Sequence, residues 1–169
     1  MSTILFENDE ISVHIRKYKF DFDGKGNKDN QISIREVNIR LMKALKPDDV
    51  QNTFKILSNF WDKCGNCKRY FFITLDFSQH IPLDINFIME GVNFFKCVKK
   101  TTKTHCLFTC IKSNSTMVKW LVQTFTGVYT PVRPIFTFKE EEKGEPENCL
   151  LCNYKEFIRD LQKKQEEDD

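Results

Sequence analysis

Tyr70-Phe-Phe-Ile-Thr-Leu-Asp-Phe77 carries no charge until Asp76, is entered through Lys68 and Arg69, and is followed by the polar Ser78-Gln79-His80. A strand that is apolar on both faces has to be covered on both faces, so this run reads as the central strand of a layered α/β domain.

Upstream, residues 11–45 carry two period-2 patterns. Ile11, Val13 and Ile15 share one face, then the phase slips to Tyr18, Phe20 and Phe22; Ile32 and Ile34 are in phase, then it slips to Val37, Ile39 and Leu41. An antiparallel hairpin about Asn27 sets Phe22 opposite Ile32, Phe20 opposite Ile34, Ile15 opposite Ile39 and Val13 opposite Leu41, with both slips at one rung, between Tyr18/Glu36 and Lys17/Val37. Asp23 to Asn30 supplies the turn chemistry. Pro47, Asp48 and Asp49 open a helix whose buried stripe is Val50, Phe54, Leu57 and Trp61, with a loop at Cys64 to Lys68.

Downstream, a helix is expected from about Leu83 to Lys100, with Ile85, Ile88, Met89, Val92 and Phe95 inward, then a buried strand from His105 to Ile111. Asn114 or Ser115 caps a helix carrying Met117, Trp120, Leu121 and Phe125, with Gly127 at its left-handed end. Val132 to Phe138 is a strand that Pro134 assigns to a sheet edge. A last helix carries Tyr154, Phe157, Ile158 and Leu161. The expected fold is α/β: a mixed, mostly parallel sheet with an N-terminal antiparallel hairpin and about four helices. It forms one domain over residues 1–169: hairpin 11–45, alternating core 46–165, acidic tail 166–169.

A chain of 169 residues is long enough to bury a core without staples. Its 26 Lys and Arg against 24 Asp and Glu leave +2, a field that neither demands nor forbids nucleic acid; the basic stretch Lys96, Lys99, Lys100 and Lys103 is short, and nucleic acid is not the expected partner. No apolar run nears the roughly 20 residues of a membrane span, and Glu7, Asp9 and Glu10 break the order of a signal peptide. Seven cysteines, an odd number, suit reduced thiols, and the expected location is the cytoplasm. The abundance of Phe, Lys and Asn suits an AT-rich coding genome.

Two Cys-x-x-Cys pairs, Cys64/Cys67 and Cys149/Cys152, have the spacing of a four-thiolate zinc site. The expected topology puts the first before the central strand and the second after a parallel strand, at opposite sheet edges. A strand of about 7 residues separates these by roughly 23 Å, against sulfur–zinc bonds of about 2.3 Å. No cofactor is therefore expected, with zinc on these four thiols the alternative. Trp61 to Lys68 has the look of a thioredoxin dithiol, but it follows a helix and opens a strand, without the helix N-terminus that activates a thiol. Asn27, Asp29, Ser33 and Glu36 fit part of a calcium loop whose first ligand position is occupied by Lys25.

His14, His80 and His105 lie on different elements with no nucleophile motif, phosphate loop or paired acid, so no catalytic residue and no enzymatic activity are expected. His80 stands near the C-terminal end of the central strand, where such sheets bind ligands. Cys97, Cys106 and Cys110 are expected as core thiols, with Cys106, Phe108 and Cys110 on one strand face. Phe20, Phe22, Ile32 and Ile34 share one face of the outer hairpin. That patch either meets a protein partner or second copy of the chain, or folds back onto its own domain.

Ile73-Thr-Leu-Asp-Phe-Ser78, Asp84 opening the next helix, and Asn114 to Gly127 followed by Val132-Arg-Pro-Ile-Phe136 together resemble the STAS (sulfate transporter and anti-sigma factor antagonist) domain over about residues 35–165. The resemblance implies a non-enzymatic regulatory module that docks a protein partner around His80, Asp84 and Asn86. In that family a Ser or Thr just after this aspartate is sometimes phosphorylated; here Ile85-Asn86 stands in its place, so the phosphoacceptor is missing.

Overall fold

The computed structural model describes residues 2–21 and 31–139. Their elements are β1 (Ser2–Glu7), β2 (Ile11–Asp21), β3 (Gln31–Leu41), α1 (Pro47–Asn66), β4 (Phe71–Asp76), α2 (Ile85–Cys97), α3 (Lys99–His105), β5 (Cys106–Lys112), α4 (Met117–Val128) and β6 (Ile135–Phe138). Over the described residues the fold is α/β: one six-stranded sheet in sequential order, antiparallel over β1-β2-β3 and parallel from β3 to β6, with four helices.

Because each parallel crossover steps one strand in the same direction, a constant right-handed connection places every helix on one face. There Ile11, Val13, Val37, Ile39, Leu41, Phe71 and Ile73 of the sheet pack against Leu57, Phe60 and Trp61 of α1, Ile88 and Phe94 of α2, and Val118 and Leu121 of α4. The opposite face has its own buried cluster of Ile34, Tyr70, Phe72, Leu107, Phe108 and Cys110, flanked by Tyr18, Phe136 and Phe138. The central strand is buried on both faces, as its composition requires: Phe71 and Ile73 point to the helices, Phe72 away from them.

The hairpin forms with the expected face pattern and a different register. Phe20 pairs with Ile32, Tyr18 with Ile34, Ile15 with Val37 and Val13 with Ile39, a shift of two residues from the expected pairing. A two-residue slip keeps every side chain on its own face, so the apolar pattern is blind to it. The change of face falls between Ile15↔Val37, last on the helix side, and Tyr18↔Ile34, first on the other. At this switch Glu36 is buried yet served: Tyr18 donates to its Oε2 at 3.1 Å, and Arg16 Nε lies 3.7 Å from the same oxygen.

Other boundaries move for local reasons. α1 runs on through Cys64 and Gly65, so the expected loop is the helix's last turn, stopped by Lys68 at a left-handed φ of 49°. The long second helix breaks at Val98 into α2 and α3, and His105 ends α3 rather than opening β5. Gly127 lies inside α4. On β5 an extra residue intervenes between the pairs Phe71↔Cys106 and Ile73↔Thr109. This bulge reverses the alternation, sending Cys106 to the helix-side core and Phe108 and Cys110 to the other face, against the expectation that all three share one face. β6 forms the edge that Pro134 signals. The expected last helix at Tyr154 to Leu161 lies outside the described residues.

Candidate functional site

β4 ends at Asp76, whose carboxylate is fully engaged. Arg40 of β3 donates Nε to Oδ2 at 2.7 Å; Ser78 donates its backbone N–H at 3.2 Å and its hydroxyl at 2.5 Å to Oδ1. Burial alone would raise the Asp76 pKa, but the bonds from Ser78 and Arg40 outweigh it and hold the group below the ordinary carboxylate value. Asp76 thus closes the turn that launches the chain toward α2. A carboxylate so occupied is poorly placed to act as a general base.

The next seven residues cross the C-terminal edge of the parallel strands. His80 is half-buried in this loop, and Asp84 caps α2 by accepting the Asn86 N–H at 2.9 Å. Around the cap the surface is apolar: Leu83 is 43%, Ile85 52% and Met89 38% exposed. α4, which packs beside α2, starts from the same edge and adds Met117 and Trp120, also more than two-fifths exposed. Ile85, Met89, Met117 and Trp120 were expected in the buried stripes. The core takes Ile88, Val92, Val118 and Leu121 instead, leaving four large apolar side chains on the outer surface. Met and Trp are typical of the cores of protein interfaces.

The structure brings His80, Asp84 and Asn86 into this one region and separates them from the hairpin residues. Ile34 is completely buried in the cluster with Phe72, so it lies in the core rather than on a docking surface. Phe20 and Ile32 are placed by backbone pairing alone, and Phe22 falls outside the described residues.

The first cysteine pair is divided by burial. Cys64 faces the core from the last turn of α1, and that burial pushes its thiol up to about 11, although Arg35 and Arg69 act the other way. Cys67 is exposed just past the helix, and Cys97, expected in the core, is exposed too, on the last turn of α2. Burial of the kind seen at Cys64 works against the thiolate that a reactive dithiol needs. Cys149 and Cys152 lie outside the described residues. Among those described, no group of three or more His, Cys, Asp and Glu could hold a metal, and no helix is long and apolar enough to cross a membrane. Burial likewise lifts Cys106 to about 12 and lowers the His105 pKa, favouring its neutral form.

Between the helix layer and the sheet lies an apolar cavity of about 120 Å³, walled by Phe54, Leu57, Ile73, Phe94, Leu121 and Phe125. It shares Val122, Pro131, Val132, Arg133 and Ile135 with a shallow cleft beside β6. Thr53, buried on α1, contributes to the wall, and its hydroxyl has no hydrogen-bond partner among the described residues. No signal in the sequence points to this cavity, because its walls are ordinary core positions.

Comparison with known protein families, with curated proteins and with solved structures finds no match to this chain.

Proposed function

We propose that the chain is a non-catalytic, STAS-like regulatory module that docks a protein partner on the apolar surface around the N-termini of α2 and α4. The observation that carries this reading is the exposure of Leu83, Ile85, Met89, Met117 and Trp120 at one sheet edge, about the capped Asp84. Scattered exposed apolar residues need no explanation, but five large ones flanking two neighbouring helix starts favour an interaction surface. The occupied Asp76 carboxylate favours docking over acid–base chemistry at this edge. The order of hairpin, helix, strand, helix and strand, with an Asp-capped helix after Leu75-Asp76-Phe77-Ser78, agrees with the STAS resemblance.

The rival reading is a zinc or thiol-redox protein built on Cys64, Cys67, Cys149 and Cys152; the division of the first pair into a buried Cys64 and an exposed Cys67 weighs against a reactive dithiol. Metal analysis of the purified chain tests it: about one zinc per chain, lost in Cys149→Ser, replaces the docking reading with the metal one. The docking reading is tested by Ile85→Asp with Met89→Asp, which should abolish capture of a partner from the native host while leaving the fold intact. Undiminished capture of the same partner rejects it.

A further inference from the structure

We propose that the sheet face turned away from the helices is a docking surface, and that its occupant is the chain's own C-terminal segment, residues 149–165. On that face Ile34, Phe72, Phe108 and Cys110 are completely excluded from water, and Tyr70 and Leu107 nearly so. Side chains on one sheet face stand side by side on strands about 4.8 Å apart, so they fill the gaps between one another but leave their own tips uncovered. The rings of Tyr18, Phe72, Phe108 and Phe136 form such a row, with neighbouring centroids 5.7, 5.0 and 6.1 Å apart. Full exclusion from water therefore requires a further layer, about 10 Å above the strands. None of the described helices supplies it: α1, α2 and α4 pack on the other face, and α3 is held to α1 by the Trp61–Thr102 hydrogen bond.

The remaining sequence offers one source for that layer. Residues 22–30 contain a single large apolar side chain, Phe22, among Asp, Gly, Lys and Asn, too little to cover the row of rings. Residues 149–165 hold Leu150, Tyr154, Phe157, Ile158 and Leu161 at the spacing of one helix face, with Arg159 and Lys163 on the opposite side. The dimensions agree. Tyr154 to Leu161 covers about 10 Å at roughly 1.5 Å per helical residue, and Ile34 to Phe108 spans the two gaps between β3, β4 and β5, also about 10 Å. The polar stretch 139–148, leaving β6, reaches up to roughly 33 Å when extended, whereas β4 lies two strands, about 10 Å, from β6.

The surface also has a polar border. Toward the C-terminal ends of the parallel strands this face carries Glu36, Asn38, Arg40 and Asp76, which bond to one another and to Tyr18, and the Arg40 side chain stays 49% exposed. An apolar helix stripe therefore fits the half of the face that begins β4 and β5, and not the other half. The same chain is a better source than a second copy, because a short tether holds the segment at an effective concentration in the millimolar range.

The test uses the full-length chain with labelled Ile and Leu methyl groups. Nuclear Overhauser contacts are expected from the Ile158 and Leu161 methyls to ring protons of Tyr70, Phe72 or Phe108. In a sample of labelled and unlabelled chains refolded together, an isotope-filtered spectrum should show none of these contacts between copies. Phe157→Asp with Ile158→Asp should lower the melting temperature by at least about 10 °C and raise the fluorescence of added anilinonaphthalene sulfonate several-fold. Arg159→Gln with Lys163→Gln should shift melting by no more than about 2 °C. Absence of the methyl–ring contacts, contacts arising only between copies, or a double-Asp variant that melts with the wild type overturns the proposal. Should the double-Asp variant not fold, the contacts in the wild-type chain decide alone. The outcome is independent of partner docking, which uses the outer surfaces of α2 and α4.

Discussion

Arg40 and Asp76 join the antiparallel ribbon to the parallel half of the sheet: the guanidinium Nε of β3 lies 2.7 Å from the carboxylate Oδ2 at the end of β4, and Ser78 satisfies the other oxygen. Since the folded-state pKa of Asp76 is depressed, its contribution to stability is fully present above the unfolded value of about 4 and is lost as pH falls through the lower folded value. Asp76→Asn should therefore cost about 1–2 kcal/mol at pH 7 and flatten the acid limb of the stability curve. Urea unfolding of both proteins between pH 2 and pH 7 checks this, and parallel curves would contradict it.

Trp61 is the hub of the helix-side core. Its ring meets Phe60, Phe71 and Phe94 edge-on, and its N–H donates to Thr102 across the α1–α3 contact. Thr102→Val strands that N–H in an apolar setting and should cost about 1–3 kcal/mol. Trp61→Ala should cost about 3–5 kcal/mol. Denaturant melts of the two variants give the comparison, with Trp61→Ala expected to be the more damaging.

Thiol labelling should divide the cysteines by burial. With Cys149 and Cys152 replaced by Ser, a maleimide at pH 7 is expected to modify Cys67 and Cys97, which are exposed, and to leave Cys64, Cys106 and Cys110 untouched until the chain unfolds. Peptide mapping of the native adduct reads this directly; rapid labelling of Cys64 would return the dithiol reading to contention.

At the docking surface, Ile85→Asp and Trp120→Asp replace exposed side chains that the core does not use. Each should change stability by no more than about 0.5 kcal/mol, while weakening partner binding more than tenfold if these residues lie near the centre of the contact. Thermal melts paired with pull-down titrations distinguish the two effects. A large loss of stability would show that these side chains serve the core.

The architecture was readable where burial leaves a period. The run at 70–77, the phase change in both hairpin strands and the proline-opened α1 each carry such a signal. β1 was missed because Ser2–Glu7 is almost wholly exposed, with its alternation broken by an irregularity between Ile4 and Phe6. α3 was missed because Lys99–His105 is polar, burying only Thr102 and His105. The β5 bulge is invisible because Cys106, Leu107 and Phe108 are all apolar, so no face is marked out by polar residues. Asp84 was marked as the start of a helix only through the STAS resemblance; the apolar spacing alone set that start at about Leu83, two residues before α2 begins at Ile85. Met117 and Trp120 were not recognised as surface residues, since a helical stripe does not say which of its apolar members lies at the rim of the core.

The most direct test of the docking account is site-specific photo-cross-linking in the native host. A p-benzoylphenylalanine replacing Ile85, at the exposed start of α2, is compared with one replacing Thr104 in α3, exposed and close to where β5 begins, away from the proposed surface. The account predicts one discrete light-dependent adduct from position 85, lost when Met89→Asp is added, and none from position 104. Equal adducts from both positions, or none from position 85 in cells where the protein is abundant, would contradict it.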